Sequence, residues 1–180
     1  MVLVFLADGF EEVEAVTPAD YLLRCGLDVK TVGVRGKMVK GSHGLTVIAD
    51  WTMYDVDLEK TEMIVLPGGQ PGTQNLAKSR RMEQVILHCV QNNILIGAIC
   101  AAPSILGEMG LLEGRRATCF PGYEDTLKGA RVTGNPVETD GIFITSRGAG
   151  TANQFAFALV EAASGREAAQ TLKDTVQWRG

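Results

Sequence analysis

Residues 94–99 read Ile-Leu-Ile-Gly-Ala-Ile, and Cys100-Ala-Ala-Pro-Ser follows without a break. An apolar run with no polar alternation predicts a strand buried on both faces, as in a parallel sheet. Pro103 suits the first turn of a helix, where its missing N–H costs nothing, and a helix is expected over 101–112. Cys100 then sits on the sharp turn between the two. Its small neighbours Ala98, Ala101 and Ala102 are what such a crowded turn requires. A cysteine presented in this way is a candidate nucleophile. The positive end of the following helix is expected to lower its thiol pKa below about 8.5. The Ala101 N–H is free to donate to an oxyanion.

The remainder of the chain agrees with a sheet of that kind. Strands are expected at 2–6, 27–34, 63–66, 117–120, 137–140 and 142–145, the last two flanking an Asp140-Gly141 turn. Residues 37–50 alternate around Gly41 and Gly44 and predict a hairpin or short edge strands. Helices are expected at 12–24, 81–91, 151–163 and 166–178. In the first, Val13, Val16, Leu22 and Leu23 fall at helical spacing; Pro18 is expected to kink or restart it and Gly26 to end it. Strands alternating with helices imply a mostly parallel α/β sheet covered on both faces, in one domain over 1–180. Ligands in such sheets bind beyond the carboxyl ends of the strands. Three loops are expected to meet there: 8–14, 67–72 and the turn at Cys100. The amides of Gly68 and Gly69 are further oxyanion donors.

Composition narrows the function. The net charge is −4 and Lys and Arg are scattered, which argues against electrostatic binding to nucleic acid or anionic lipid. No apolar run approaches the ~20 residues that span a bilayer. A basic leader is absent before Ala7-Asp8-Gly9, so the cytoplasm is the expected compartment. Four cysteines without CxxC spacing point to free thiols, and His43 and His88, far apart, write no zinc motif. Glu11-Glu12-Val13-Glu14 occupies the turn where a dinucleotide-binding fold carries its glycines. Three carboxylates there repel phosphate and argue against a nicotinamide or flavin cofactor. Glu11 and Glu12 suit a helix N-terminus. Glu14, one turn in, is expected to point inward, to stay protonated and to donate to a Cys100 thiolate. Cys119 is either a second redox thiol or a small core residue.

Taken together, Ala7-Asp-Gly-Phe-Glu-Glu-Val-Glu14, Val65-Leu-Pro-Gly-Gly69, Ala98-Ile-Cys100-Ala-Ala-Pro103 and Thr145-Ser-Arg-Gly-Ala-Gly150-Thr151 resemble the ThiJ/PfpI superfamily. Within it they are similar to the branch of the human parkinsonism-associated deglycase and bacterial YajL. The motifs fall in family order across nearly the whole chain. The resemblance implies a flavodoxin-like three-layer sandwich, a nucleophile elbow and a homodimer. It implies that Cys100 is an oxidation-sensitive nucleophile, that protonated Glu14 is its hydrogen-bond partner, and that the Gly69 and Ala101 amides form an anion pocket. Arg24 matches an arginine that reaches toward the partner subunit's site, and His43 a basic position near the partner's pocket.

Two departures bear on chemistry. Phe120 stands where many members have a histidine near the nucleophile, so proton transfer falls on Glu14 or water. Ala101 stands where the peptidase branch has histidine, and no histidine follows His88. Both weaken a peptidase or amidase reading. The expected activity is cofactor-independent turnover of reactive α-oxoaldehydes, methylglyoxal to lactate, with glycated protein as a related substrate. The rival expectation is an oxidative-stress sensor or redox-regulated chaperone switched by Cys100.

Overall fold

A computed structural model describes residues 1–180. β1 (Val2–Leu6) leads through α1 (Glu12–Arg24) to β2 (Val29–Gly33). β3 (Met38–Lys40) and β4 (Thr46–Ile48) form a separate antiparallel hairpin, and β5 (Trp51–Thr52) follows. Next come β6 (Met63–Leu66), α2 (Gly72–Ala77), α3 (Arg80–Gln91), β7 (Leu95–Ile99) and α4 (Pro103–Glu108). β8 (Arg116–Ala117) and β9 (Arg131–Val132) pair in parallel, and β10 (Val137–Asp140), β11 (Phe143–Ser146), α5 (Ala152–Ser164) and α6 (Arg166–Thr175) complete the chain.

The main sheet has seven strands in the order β10-β11-β7-β6-β1-β2-β5. All neighbours are parallel except the β10–β11 pair. Its central run, β2-β1-β6-β7-β11, has the flavodoxin-like order. Strand residues alternate between two cores, as the pleat demands. Leu3, Phe5, Ile64, Leu66, Ile96 and Ala98 face α3 and α4; Val2, Val4, Leu6, Met63, Val65 and Ile99 face α1 and α5. After β1 the chain builds outward on one side, then returns to start β6 on the other. The order therefore reverses between β1 and β6, and a crevice opens beyond their carboxyl ends.

Four expectations need correction. α1 runs unbroken through Pro18. Its buried face is Glu14, Ala15, Pro18, Ala19 and Leu22, while Val13, Val16 and Leu23 face outward. Small residues let the helix sit close to the sheet, and the larger apolar ones are left outside. The helix expected over 101–112 shrinks to α4 and gives way before Gly110, at φ +73°. The strand expected over 117–120 ends at Ala117. Beyond it the Thr118 N–H bonds to the Thr145 hydroxyl and the Phe120 N–H to the Cys100 carbonyl, so no regular ladder continues. α2 and the β8–β9 pair were not anticipated.

Candidate active site

The loops after β1 and β6 lie against each other at the crevice. The Glu11 N–H donates to the Gly68 carbonyl at 3.0 Å, and the Gly72 N–H to the Gly9 carbonyl at 3.2 Å. A Cβ placed on Gly68 would stand 2.6 Å from the Cys100 Cβ and 2.8 Å from Glu14 Oε2. Glycine is therefore required there, and the three expected loops do converge on one point. Cys100 follows β7 with φ +66°, a left-handed conformation rare for any residue with a side chain. Its neighbours hold it in place: its N–H donates to the Ser146 carbonyl at 2.9 Å, and its carbonyl accepts from Phe120 at 2.8 Å. The sulfur is thereby lifted onto a tight strand-to-helix elbow.

Glu14 reaches this point from α1, whose start is capped by the Glu11 carboxylate accepting the Glu14 N–H at 2.8 Å. Its side chain is buried, and Oε2 accepts from the Gly68 N–H at 2.9 Å. Oε1 is also buried and has no hydrogen-bond partner. Burial raises the Glu14 pKa from 4.5 to about 7; the Cys100 thiol and the Gly68 amide pull the other way. The Cys100 thiol is raised as well, to about 12, by burial first and then by the Glu14 charge. The amides of Gly69 and Ala101 face the sulfur and oppose this rise. The expectation of a lowered thiol pKa is therefore overturned. α4 has only six residues and starts at Pro103, while burial and a neighbouring carboxylate both push the thiol up. The pair accommodates one negative charge, not two.

The other candidates lie around this centre rather than in it. Arg24 is at the far end of α1, roughly 15 Å from Glu14 at 1.5 Å per residue. It pairs with Asp20 at 2.6 Å and borders a surface hollow of about 680 Å³ beside α6. His43, on the hairpin turn between β3 and β4, approaches Glu12 at 3.0 Å and Glu11 at 3.7 Å. Glu12 also accepts the backbone N–H of His43 at 2.8 Å and that of Leu45 at 3.3 Å. Burial raises its pKa, but the His43 side chain and these amides outweigh it and bring Glu12 down to about 2. Glu11, Glu12 and His43 are the one group with ligand atoms mutually within 4.8 Å. Both Glu12 oxygens are already occupied by donors, so this set fits an ion pair that ties the hairpin to α1, not a resident metal. Cys119 is buried in the core under α4, whereas Cys100 borders the opposite core, and all four cysteines are free. Burial pushes the Cys119 thiol up to about 11.

Sequence reasoning missed Gly148. A Cβ there would lie 3.2 Å from Phe120 Cδ2 and 3.8 Å from Glu14 Oε1. The only signal for it was its place in the Thr145-Ser-Arg-Gly-Ala-Gly150 motif, which gave no hint of what it faces.

A flavodoxin-like sheet with a cysteine on a left-handed elbow, facing a buried carboxyl at the switch point, defines a class of thiol-elbow α/β proteins. Comparison with known proteins places this chain within that class. It belongs to the DJ-1/PfpI family, the match spanning residues 1–162. It is 38% identical to Protein DJ-1 homolog B of Arabidopsis thaliana over 171 residues, 93% of this chain and 39% of that protein. The chain thus spans less than half the length of that relative. It is 34% identical to the Glutathione-independent glyoxalase DJR-1.2 of Caenorhabditis elegans, covering 90% of this chain and 87% of that one. It is 30% identical to a deglycase of Pyrococcus abyssi, covering 81% and 89%. The crystal structure of Drosophila melanogaster DJ-1beta superposes with a TM-score of 0.93 at 33% identity, covering 99% of this chain and 98% of that one.

Proposed function

We propose that the protein is a cofactor-independent glyoxalase acting on α-oxoaldehydes, with methylglyoxal converted to lactate. The observation that carries this reading is the pairing of a half-buried thiol with Glu14, whose pKa of about 7 suits it to give and take protons at neutral pH. Glu14 as carboxylate takes the thiol proton while the Cys100 sulfur adds to the aldehyde carbon. It then returns that proton to the former aldehyde oxygen, giving a hemithioacetal. The carboxylate next removes the hydrogen on that carbon to form an enediol, and the proton goes back to the neighbouring carbon. The product is a lactoyl thioester, which water cleaves to lactate and free thiol. Methylglyoxal and water supply every atom of lactate, so the reaction needs no external oxidant or reductant. The Gly69 and Ala101 amides stabilise the developing oxyanion. Glycated protein falls under the same reading, because draining free dicarbonyl reverses early adducts. Lactate formation from methylglyoxal without glutathione is the test; a wild-type rate no higher than that of Cys100→Ser would refute it.

A second reading, a redox sensor, is favoured by the same three donors. Glu14, Gly69 and Ala101 surround the sulfur in a way that would hold the oxygens of a sulfinate. Mild peroxide should then add two oxygens to Cys100 alone, as read by mass spectrometry. In either case we propose that two copies associate through α1 and the β3–β4 hairpin. Val16, Leu23 and Val47 line an apolar groove there of about 220 Å³, and Met38 and Ile48 are more than 70% exposed beside it.

A further inference from the structure

Phe120 is a large apolar side chain that folding leaves 47% exposed. Its position is nonetheless well defined. Its N–H is bonded to the Cys100 carbonyl at 2.8 Å, and its own carbonyl accepts the Tyr123 N–H at 3.1 Å. The Tyr123 hydroxyl accepts from Gln70 Nε2 at 2.9 Å, which fastens this segment to the loop after β6. Phe120 is therefore fixed on the rim beside Cys100 from two sides.

The ring packs close to Gly148. A Cβ on Gly148 would stand 3.2 Å from Phe120 Cδ2 and 3.8 Å from Glu14 Oε1, so Phe120, Gly148 and Glu14 meet beside the Cys100 elbow. Backbone strain does not explain the glycine, since φ 163° and ψ −171° are extended values open to any residue. Glu14 Oε1 is the buried oxygen without a partner. The Cys100 elbow is thus flanked by an apolar ring and by a carboxyl. A polar substituent laid against the Phe120 ring would lose hydration that the ring does not replace.

The geometry points to Phe120 and Gly148 as the specificity-determining pair, which shapes a subsite for an apolar carbon substituent on the keto carbon of the oxoaldehyde. The inference rests on the proposed attack of Cys100 on the aldehyde carbon. With the sulfur bonded there and the oxygen turned to Glu14 Oε1, the remaining group lies along the Phe120 ring. Oxoaldehydes bearing methyl or phenyl are preferred over glyoxal, which carries only hydrogen at that position.

The test compares kcat/KM for phenylglyoxal, methylglyoxal and glyoxal in the wild type and in Phe120→Ala, Phe120→Leu and Gly148→Ala. The phenylglyoxal-to-glyoxal ratio should fall about tenfold in Phe120→Ala, the usual size of a lost apolar pocket contact. It should largely recover in Phe120→Leu, which restores an apolar wall, and fall again in Gly148→Ala, whose Cβ would crowd the ring at 3.2 Å and displace it. A merely structural role would lower all three substrates together and leave the ratio alone. A second arm needs no turnover: the rate of Cys100 alkylation by N-benzyliodoacetamide relative to iodoacetamide, read by mass spectrometry. If no oxoaldehyde is turned over, the proposed activity fails and this arm decides the subsite. Ratios unchanged within twofold across the variants in both arms, or in the alkylation arm where nothing turns over, would overturn the inference.

Discussion

Glu14 binds its proton more tightly in the folded chain than a free carboxyl does, and that has a thermodynamic sign. Its pKa rises from 4.5 to about 7 on folding, chiefly through burial. The unfolded chain therefore releases a proton that the folded chain keeps. The resulting stabilisation is complete below pH 4.5 and is lost as pH rises through about 7. At about 1.4 kcal/mol per unit the total is roughly 3 kcal/mol. Urea denaturation of wild type and Glu14→Gln at pH 4.5 to 8 should show a stability difference that shifts by that amount across the window. A difference independent of pH would mean that the carboxyl is ordinary. Position 100 offers a second residue-scale prediction. With φ +66°, alanine is strained there and glycine is not. Cys100→Gly should be about 1 kcal/mol more stable than Cys100→Ala in the same assay, and equal stabilities would speak against the left-handed elbow. Both residues were legible in the sequence, because a nucleophile elbow and a carboxyl one turn into α1 are local patterns. The direction of the thiol pKa was not legible, since it depends on what the fold packs around the sulfur.

Among the elements, the seat of α5 on β7 matters most to the site, because β7 carries the elbow. Gly97 lies at their contact: a Cβ there would stand 2.7 Å from Leu159 Cδ2 and 3.0 Å from Phe155 Cζ. Gly97→Ala should cost about 1–3 kcal/mol by overpacking. Leu159→Ala should cost about 2–5 kcal/mol through the cavity it leaves. The double variant should be less destabilised than the two added together, because each change makes room for the other. Strict additivity in urea denaturation would separate the helix from the strand. Element types were largely readable from periodicity. The orientation of α1 was not, because Ala15 and Ala19 win the buried face through their small size while Val13, Val16 and Leu23 give it up. The meeting of Gly148 with Phe120 and Glu14 was hidden for a related reason: only the folded sheet brings the three together.

For the whole molecule, the alternation of strands and helices was enough to place the edge where Cys100 and Glu14 meet, and the reversal between β1 and β6 explains why three distant loops share it. The exposed stripe on α1 and the hairpin tests the proposed association. Val16→Glu with Leu23→Glu should convert a dimer to a monomer by light scattering, and an unchanged mass would exclude this face. The Glu12–His43 contact and the Ser42 N–H bond to the Phe10 carbonyl tie the hairpin to the start of α1. The site draws on Glu14, Gly68, Cys100 and Gly148, and the hydrogen bond between the first two already spans 54 residues. This separation orders events in time. On a ribosome adding roughly 5–20 residues per second, Cys100 is exposed for several seconds before β11 and Gly148 exist. Until then β7 lacks its β11 neighbour, and the Ser146 carbonyl that holds the Cys100 N–H does not exist. The finished Cys100 elbow is thus among the last features the chain acquires, and a chain stopped short of β11 would carry the thiol without the strand that fixes its backbone.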